Sequence, residues 1–143
     1  MTTFMRIDFV NIIAVDPGQT TGVAMQIVSP DEQQRLVKTT TADTPETIFD
    51  LVANYKWEVV VCENFATAGR MSKYGLYTVR IVGGIQALCH YLKIPLAMRQ
   101  PQNRTAFQDD AAKYLMPTKH VIHEVDALAH LLAWKYFQAN NKE

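Results

Sequence analysis

The sequence has few cysteines, no excess of charge of either sign and no long apolar run. Its two cysteines, Cys62 and Cys89, both lie inside apolar segments, which excludes the disulfide framework of a small secreted protein and predicts buried free thiols. No basic leader precedes a cleavage site, and no stretch approaches the roughly 18 uninterrupted apolar residues of a membrane-spanning helix. These absences favour a cytoplasmic protein, and the length predicts a single domain over residues 1–143.

The charges are unevenly distributed, although 14 basic and 14 acidic residues cancel over the whole chain. Residues 64–120 contain eight Lys or Arg and only two Asp. Residues 1–63 contain four basic and nine acidic side chains. Net neutrality would usually argue against a nucleic-acid partner, but a basic middle segment can neutralise phosphates.

The hydrophobic pattern predicts an α/β fold with a mixed five-stranded sheet and helices on both faces. Thr44 before Pro45 indicates a helix start, and Thr105 with Gln108 forms a capping-box pattern that predicts another. The run before Glu63 is apolar throughout, as in parallel strands buried on both faces. The predicted strands cover residues 11–16, 23–28, 35–41, 57–64 and 94–101, and the predicted helices cover 44–55, 74–93, 105–116 and 122–140.

Acidic side chains stand where two apolar strands end. Asp16 ends the first predicted strand and Glu63 the fourth, and ligands gather at the carboxyl edge of an open α/β sheet. On the last helix His123, Asp126 and His130 fall at i, i+3 and i+7, along one face. A carboxylate left unpaired at the rim of a buried strand is costly, so this pattern points to cation binding.

Three carboxylates from three elements suit Mg²⁺, which takes oxygen ligands and keeps several waters. Two ions about 3.5 to 4 Å apart could activate a water and stabilise the leaving oxygen in phosphodiester hydrolysis. The imidazole of His123 would suit Mn²⁺ better than Mg²⁺. The predicted catalytic and metal-binding residues are therefore Asp16, Glu63, His123 and Asp126.

Four segments, IIAVDPGQTTGVA, VVVCENF, RIVGGIQAL and HEVDALAHLLAW, together resemble the RuvC-type Holliday junction resolvases, particularly the short bacteriophage-encoded members. The resemblance implies an RNase H-like fold, a homodimer, and paired nicking of four-way DNA junctions that depends on Mg²⁺ or Mn²⁺. Asp16, Glu63 and Asp126 match the catalytic acids of that family. Position 123 is aspartate in many members and histidine in some, and the turn DPGQTTG is one residue shorter than the usual bacterial version.

Cations alternate with aromatics after Glu63, a composition that can neutralise phosphates and stack on unpaired bases. A solvated loop leading into a helix with core aromatics is the alternative. Lys119 precedes the last helix and could reach the scissile phosphate. The predicted DNA-binding residues are Phe65, Arg70, Lys73, Tyr74, Arg80, Arg104 and Lys119.

Several polar residues have simpler structural explanations. His130 lies among apolar neighbours and is expected to be a packed core histidine, while Glu124 is expected to be a helix N-terminal acid favoured by the dipole. Gly83 and Gly84 suggest close packing against another backbone, and the amphipathic helix around Arg80 to Leu92 is the candidate dimer surface.

Other functions remain open at this level. A less selective debranching nuclease could act on flaps and forks, and an RNA-directed nuclease could share the fold. The turn DPGQTTG also resembles the phosphate loop of actin-like and sugar-kinase nucleotide binders, although those proteins enclose the nucleotide between two such domains. A catalytically idle junction-binding module is the non-enzyme reading.

Overall fold

A computed structural model describes residues 8–18, 20–31, 33–64, 73–115 and 122–140. Within these ranges five strands and five helices follow one another, in an order close to the predicted one. The strands are β1 Ile12–Asp16, β2 Thr21–Val28, β3 Arg35–Ala42, β4 Val59–Glu63 and β5 Leu96–Arg99. The helices are α1 Pro45–Ala53, α2 Lys73–Leu92, α3 Gln102–Thr105, α4 Gln108–Leu115 and α5 Ile122–Asn140.

The strands form one mixed sheet in the order β3-β2-β1-β4-β5. β1, β2 and β3 pair antiparallel as a meander, because short turns connect them. β4 pairs parallel with β1, and β5 pairs parallel with β4, since a helix precedes each of these two strands in the connection. The predicted mixed five-stranded α/β sheet is confirmed.

Helices cover both faces of the sheet. One buried cluster joins α1 and α2 to the odd-numbered residues of β1, and a second joins α4 and α5 to its even-numbered residues. Side chains alternate between faces along a strand. In β4 the odd-numbered residues face α4 and α5, whereas in β1 the even-numbered residues do. Asp16 and Glu63 therefore both point toward α5.

Close packing and hydrogen bonds hold the N-terminal end of α5 on the sheet. A Cβ atom at Gly22 of β2 would lie 1.9 Å from the carbonyl oxygen of His123, so the helix backbone touches the strand there. Glu124 accepts hydrogen bonds of 2.6 Å from the hydroxyls of both Thr39 and Thr41 on β3. Glu124 is thus a docking residue rather than only the helix-terminal acid expected from sequence.

The other end of α5 is fixed by a charged side chain. The ammonium group of Lys135 donates to Gln26 at 2.8 Å and lies 2.7 Å from Asp8. Gln26 is fully buried and donates in turn to the carbonyl of Val10 at 3.0 Å. Anchors near both ends fix the rotation of α5, and with it the direction of each side chain on its inner face.

Two local predictions have opposite outcomes. The hydroxyl of Thr44 accepts a hydrogen bond from the Thr47 amide, which confirms the predicted N-cap of α1. The capping box is wrong, because Thr105 ends α3 and α4 begins only at Gln108. The Gln108 side chain instead donates to Asp126.

The helical glycines of α2 do not pack against another backbone as expected. Gly84 faces the ring of Phe49, where an added Cβ would lie 2.3 Å from the nearest ring atom, and Gly83 faces open space. The close approach at Gly84 therefore involves a side chain. Within the described ranges, no helix combines the length and the apolarity needed to cross a bilayer.

Candidate active site

Three carboxylates from three elements converge at the carboxyl edge of the sheet. Asp16 and Glu63 directly follow the paired residues Val15 and Cys62 of the parallel strands β1 and β4, so their side chains are neighbours. Asp126 lies just over one turn into α5, which crosses this edge, and both aspartates are 7% exposed. The predicted convergence of the three acids is what the structure shows.

The guanidinium group of Arg104 lies among these acids. Its Nη1 atom donates to Oε1 of Glu63 and its Nε atom is 3.5 Å from Oδ1 of Asp126. Gln108 donates to the same Asp126 oxygen at 2.8 Å. α3 and α4 thus supply a cation, which partly neutralises the acid cluster, and an amide donor.

The surroundings of the two strand-end acids shift their pKa values in opposite directions. Burial, followed by repulsion from Glu63 and Asp126, raises the pKa of Asp16 to about 8. Burial alone would also raise the pKa of Glu63, but hydrogen bonds from His130 and Arg104, together with the positive charge of Arg104, outweigh it and lower that pKa. The cluster therefore keeps a proton on Asp16 and the negative charge on Glu63.

This proton gives the metal-free protein a defined pH dependence. Asp16 has an ordinary pKa of 3.8 and a raised one of about 8 in the folded protein, so between these values the folded state holds a proton that the unfolded chain has lost. The free energy of unfolding should consequently fall as pH rises through that window. Urea unfolding in EDTA across the pH series measures the slope, and Asp16→Asn should remove the part due to this group. Equal slopes for the two proteins would contradict the assignment.

Two histidines of α5 border the cluster. The Nδ1 atom of His123 is 3.6 Å from Oδ2 of Asp16, and its side chain is 40% exposed. His130 is fully buried, which confirms the expected core position. Its Nε2 atom, however, lies 2.8 Å from Oε1 of Glu63, so His130 also belongs to the site.

The donor set fits a divalent cation. Among the described side chains, no three His, Cys, Asp or Glu already stand close enough to ligate one ion, because Arg104 lies between Glu63 and Asp126. Three carboxyl groups from the sheet and the helix nevertheless supply the oxygen ligands that hard cations bind. Asp16, Glu63, Asp126 and His123 would hold the ion, with Arg104 and His130 in contact with the ligands.

Comparison with solved structures identifies the fold. Thermus thermophilus RuvC superposes with a TM-score of 0.67 at 13% identity, over 90% of this chain and 95% of RuvC. The fowlpox virus resolvase, solved with Holliday junction DNA, gives 0.62 at 12% identity, over 88% and 97% of the two chains. This chain has the resolvase fold. The yeast mitochondrial Holliday junction resolvase also matches, with a TM-score of 0.62 at 11% identity, over 95% of this chain and 84% of the yeast protein.

At this identity the likeness establishes architecture, and it confirms the RNase H-like fold predicted from the sequence. Neither a family model nor a curated protein matches the sequence. The roles of individual residues are therefore inferred from the geometry of this chain's own side chains.

The predicted DNA-binding residues fall into three groups on the resolvase fold. Arg80 is exposed on α2, as a DNA contact requires. Arg104 binds Glu63 rather than lying free on the surface. Phe65, Arg70 and Lys119 lie outside the described part of the chain. The backbones of Lys73 and Tyr74 are described at the start of α2, but their side chains are not.

Sequence analysis missed three contacts in this site. His130 was assigned to the core, Gln108 to a helix cap, and Arg104 to DNA alone. His130 carried a detectable signal, because it shares a helical face with His123 and Asp126. No sequence pattern predicts the contacts of Gln108 and Arg104, since only the path of α3 and α4 over the sheet brings them to the acids.

Proposed function

We propose that this chain is a metal-dependent endonuclease that resolves Holliday junctions by paired nicking of phosphodiester bonds. The observation that carries the proposal is the convergence of Asp16, Glu63 and Asp126 at one edge of a fold shared with known resolvases. Two of those solved structures, of Thermus RuvC and the fowlpox virus resolvase, contain Holliday junction substrate. Roles in DNA recombination and repair follow from the same activity.

Mg²⁺ is the proposed cofactor, with two ions bound and Mn²⁺ able to substitute. Bound ions would lower the pKa of a water and offset charge on the leaving oxygen. Asp16 and Glu63 lie on the sheet and Asp126 lies on the helix, so the acids could bind a cation from two sides. Asp16 would give up its proton as a cation binds. The proposed role of Arg104, which is paired with Glu63 and Asp126, is to contact a scissile phosphate.

His123 has a proposed role as a metal ligand, supported by its position 3.6 Å from Asp16 and its partial exposure. If it acts as a ligand, His123→Asp should retain cleavage within about tenfold, because carboxylate oxygen also binds Mg²⁺ and Mn²⁺. Mn²⁺ should lose its advantage over Mg²⁺ in this variant. Complete loss of activity with both ions would contradict ligation and indicate a role that only imidazole can fill.

The choice of substrate is tested by comparing cleavage of a four-way junction, a flap, a linear duplex and an RNA–DNA hybrid. Symmetrical nicks in the junction, at a rate well above those for the other substrates, are expected. Equal cleavage of flaps and junctions would favour the debranching nuclease instead. Preference for the hybrid would overturn the assignment to DNA, and binding of ATP without cleavage would favour a nucleotide-binding module.

A homodimer is proposed because paired nicking of a symmetrical junction needs two active sites. α2 offers a surface for it, because neighbouring apolar side chains are exposed near each of its ends: Leu76 is 56% and Val79 39% exposed, and Tyr91 is 81% and Leu92 40% exposed. Surfaces of this kind on soluble proteins often mark interfaces. Sedimentation equilibrium should give the mass of two chains, and a single-chain mass at micromolar concentration would contradict the dimer.

A further inference from the structure

His130 lies in α5 two turns beyond His123 and is fully buried. Its neighbours along α5 include Leu128 and Leu131, which are apolar and also fully buried. Burying an imidazole costs free energy unless it forms a compensating hydrogen bond. A leucine would fill this position without that cost, so packing alone does not explain a histidine here.

The only partner of the ring among the described residues is the carboxylate of Glu63. Nε2 lies 2.8 Å from Oε1 of Glu63, whereas Nδ1 is buried without a hydrogen-bond partner in that part of the chain. Placing the ring proton on Nε2 gives the buried N–H an acceptor. The other tautomer would bury an unpaired N–H and set two lone pairs against each other. The geometry therefore makes His130 a donor to Glu63.

Arg104 and His130 donate to the same oxygen of Glu63. Nη1 of Arg104 and Nε2 of His130 each bind Oε1, and Oε2 takes part in neither bond. The two donors differ in exposure, because the Arg104 side chain on α3 is 24% exposed while His130 is fully buried in the middle of α5. His130 would therefore keep its bond to the carboxylate if Arg104 shifted toward a phosphate.

We propose that His130 is a positioning residue that orients Glu63 for metal binding by donating a hydrogen bond to one of its oxygens. This inference rests on the proposed metal-dependent function. Hydrogen bonds to metal ligands fix their orientation, and their loss typically lowers metal affinity about 10- to 100-fold. His130 thereby links the core of α5 to the end of β4.

The test compares two amide variants that differ by one methylene. In His130→Gln the amide nitrogen can still reach Glu63, whereas the shorter side chain of His130→Asn cannot. Calorimetric titration with Mn²⁺ should give near-normal affinity for the Gln variant and about 10- to 100-fold weaker affinity for the Asn variant. Gln33→Asn, on the exposed surface between β2 and β3, shortens an amide side chain by the same methylene away from the site, and it should bind Mn²⁺ normally. Circular dichroism confirms that each variant is folded.

A double-mutant cycle separates orientation of Glu63 from a general packing effect. On a Glu63→Gln background, His130→Asn should weaken Mn²⁺ binding little further, because the oriented carboxylate is already gone. Equal losses on both backgrounds, or normal Mn²⁺ affinity in folded His130→Asn, would overturn the inference. If the wild-type protein itself failed to bind Mn²⁺ or to cut any branched DNA, the proposed function would fail instead, so the two failures are distinguishable.

Discussion

Asp16→Asn should reduce junction cleavage by at least about a thousandfold, which corresponds to about 4 kcal/mol of transition-state stabilisation. The substitution keeps the size of the side chain but removes the charge that a divalent cation needs. Asp16 is 7% exposed and lies closest to the negative charges of Glu63 and Asp126, so no other acid can replace it without moving a strand. Single-turnover cleavage with Mg²⁺ and with Mn²⁺ measures the effect.

The same variant should fold at least as well as the wild type without metal. It removes a carboxyl group whose pKa is raised to about 8 by burial and then by repulsion from Glu63 and Asp126, so its free energy of unfolding at pH 8 should be unchanged or higher. Asp50→Asn, on the exposed surface of α1, is the matched control and should cut normally. Retained cleavage by Asp16→Asn would remove Asp16 from the metal site, and lost cleavage by Asp50→Asn would point to a general effect of the substitution.

Gly22→Ala should disable the protein through a single added methyl group. Its Cβ would lie 1.9 Å from the carbonyl oxygen of His123 and 2.7 Å from the backbone nitrogen of Glu124. Both are backbone atoms, so the N-terminal end of α5 must move away from β2. Overpacking of this kind costs about 1 to 3 kcal/mol of stability. Cleavage should fall about a hundredfold or more, since a displacement near 1 Å at a catalytic group has that effect.

Gly83→Ala provides the comparison, because a Cβ there meets nothing within 4 Å. In the middle of α2 this change should raise stability by about 0.5 to 1 kcal/mol, through the lower conformational freedom of alanine. Denaturant unfolding and junction cleavage are measured on both variants. Normal activity and stability in Gly22→Ala would mean that α5 does not approach β2 as closely as described.

The sequence predicted those parts of the site that depend on strand and helix ends. Asp16 and Glu63 close apolar runs, and strands β1 and β4 end at these residues. The last helix was predicted over residues 122–140, which are its observed bounds. Hydrophobic periodicity carries this information because it reports which face of each element is buried.

The remaining contacts depend on where elements meet in space. Gln108 fits a capping box equally well by spacing, and only the arrangement of α4 beside α5 makes it a partner of Asp126. Gly22 appears in sequence as a turn glycine, but its role is to admit the backbone of α5. Local patterns do not encode such contacts, because they join residues on different elements, 18 positions apart for Gln108 and Asp126 and 101 for Gly22 and His123.

The hydrogen bonds from Thr39 and Thr41 to Glu124 connect the beginning of α5 to the outermost strand of the sheet. Outer strands open more readily than central ones in brief local fluctuations, and each opening of β3 would release one anchor of the helix that carries Asp126. Heat should therefore inactivate the enzyme at a temperature below that of global unfolding. Hydrogen exchange should detect the same event as shared, low protection of β3 and the first turn of α5, while the amides of β1 and β4 remain protected.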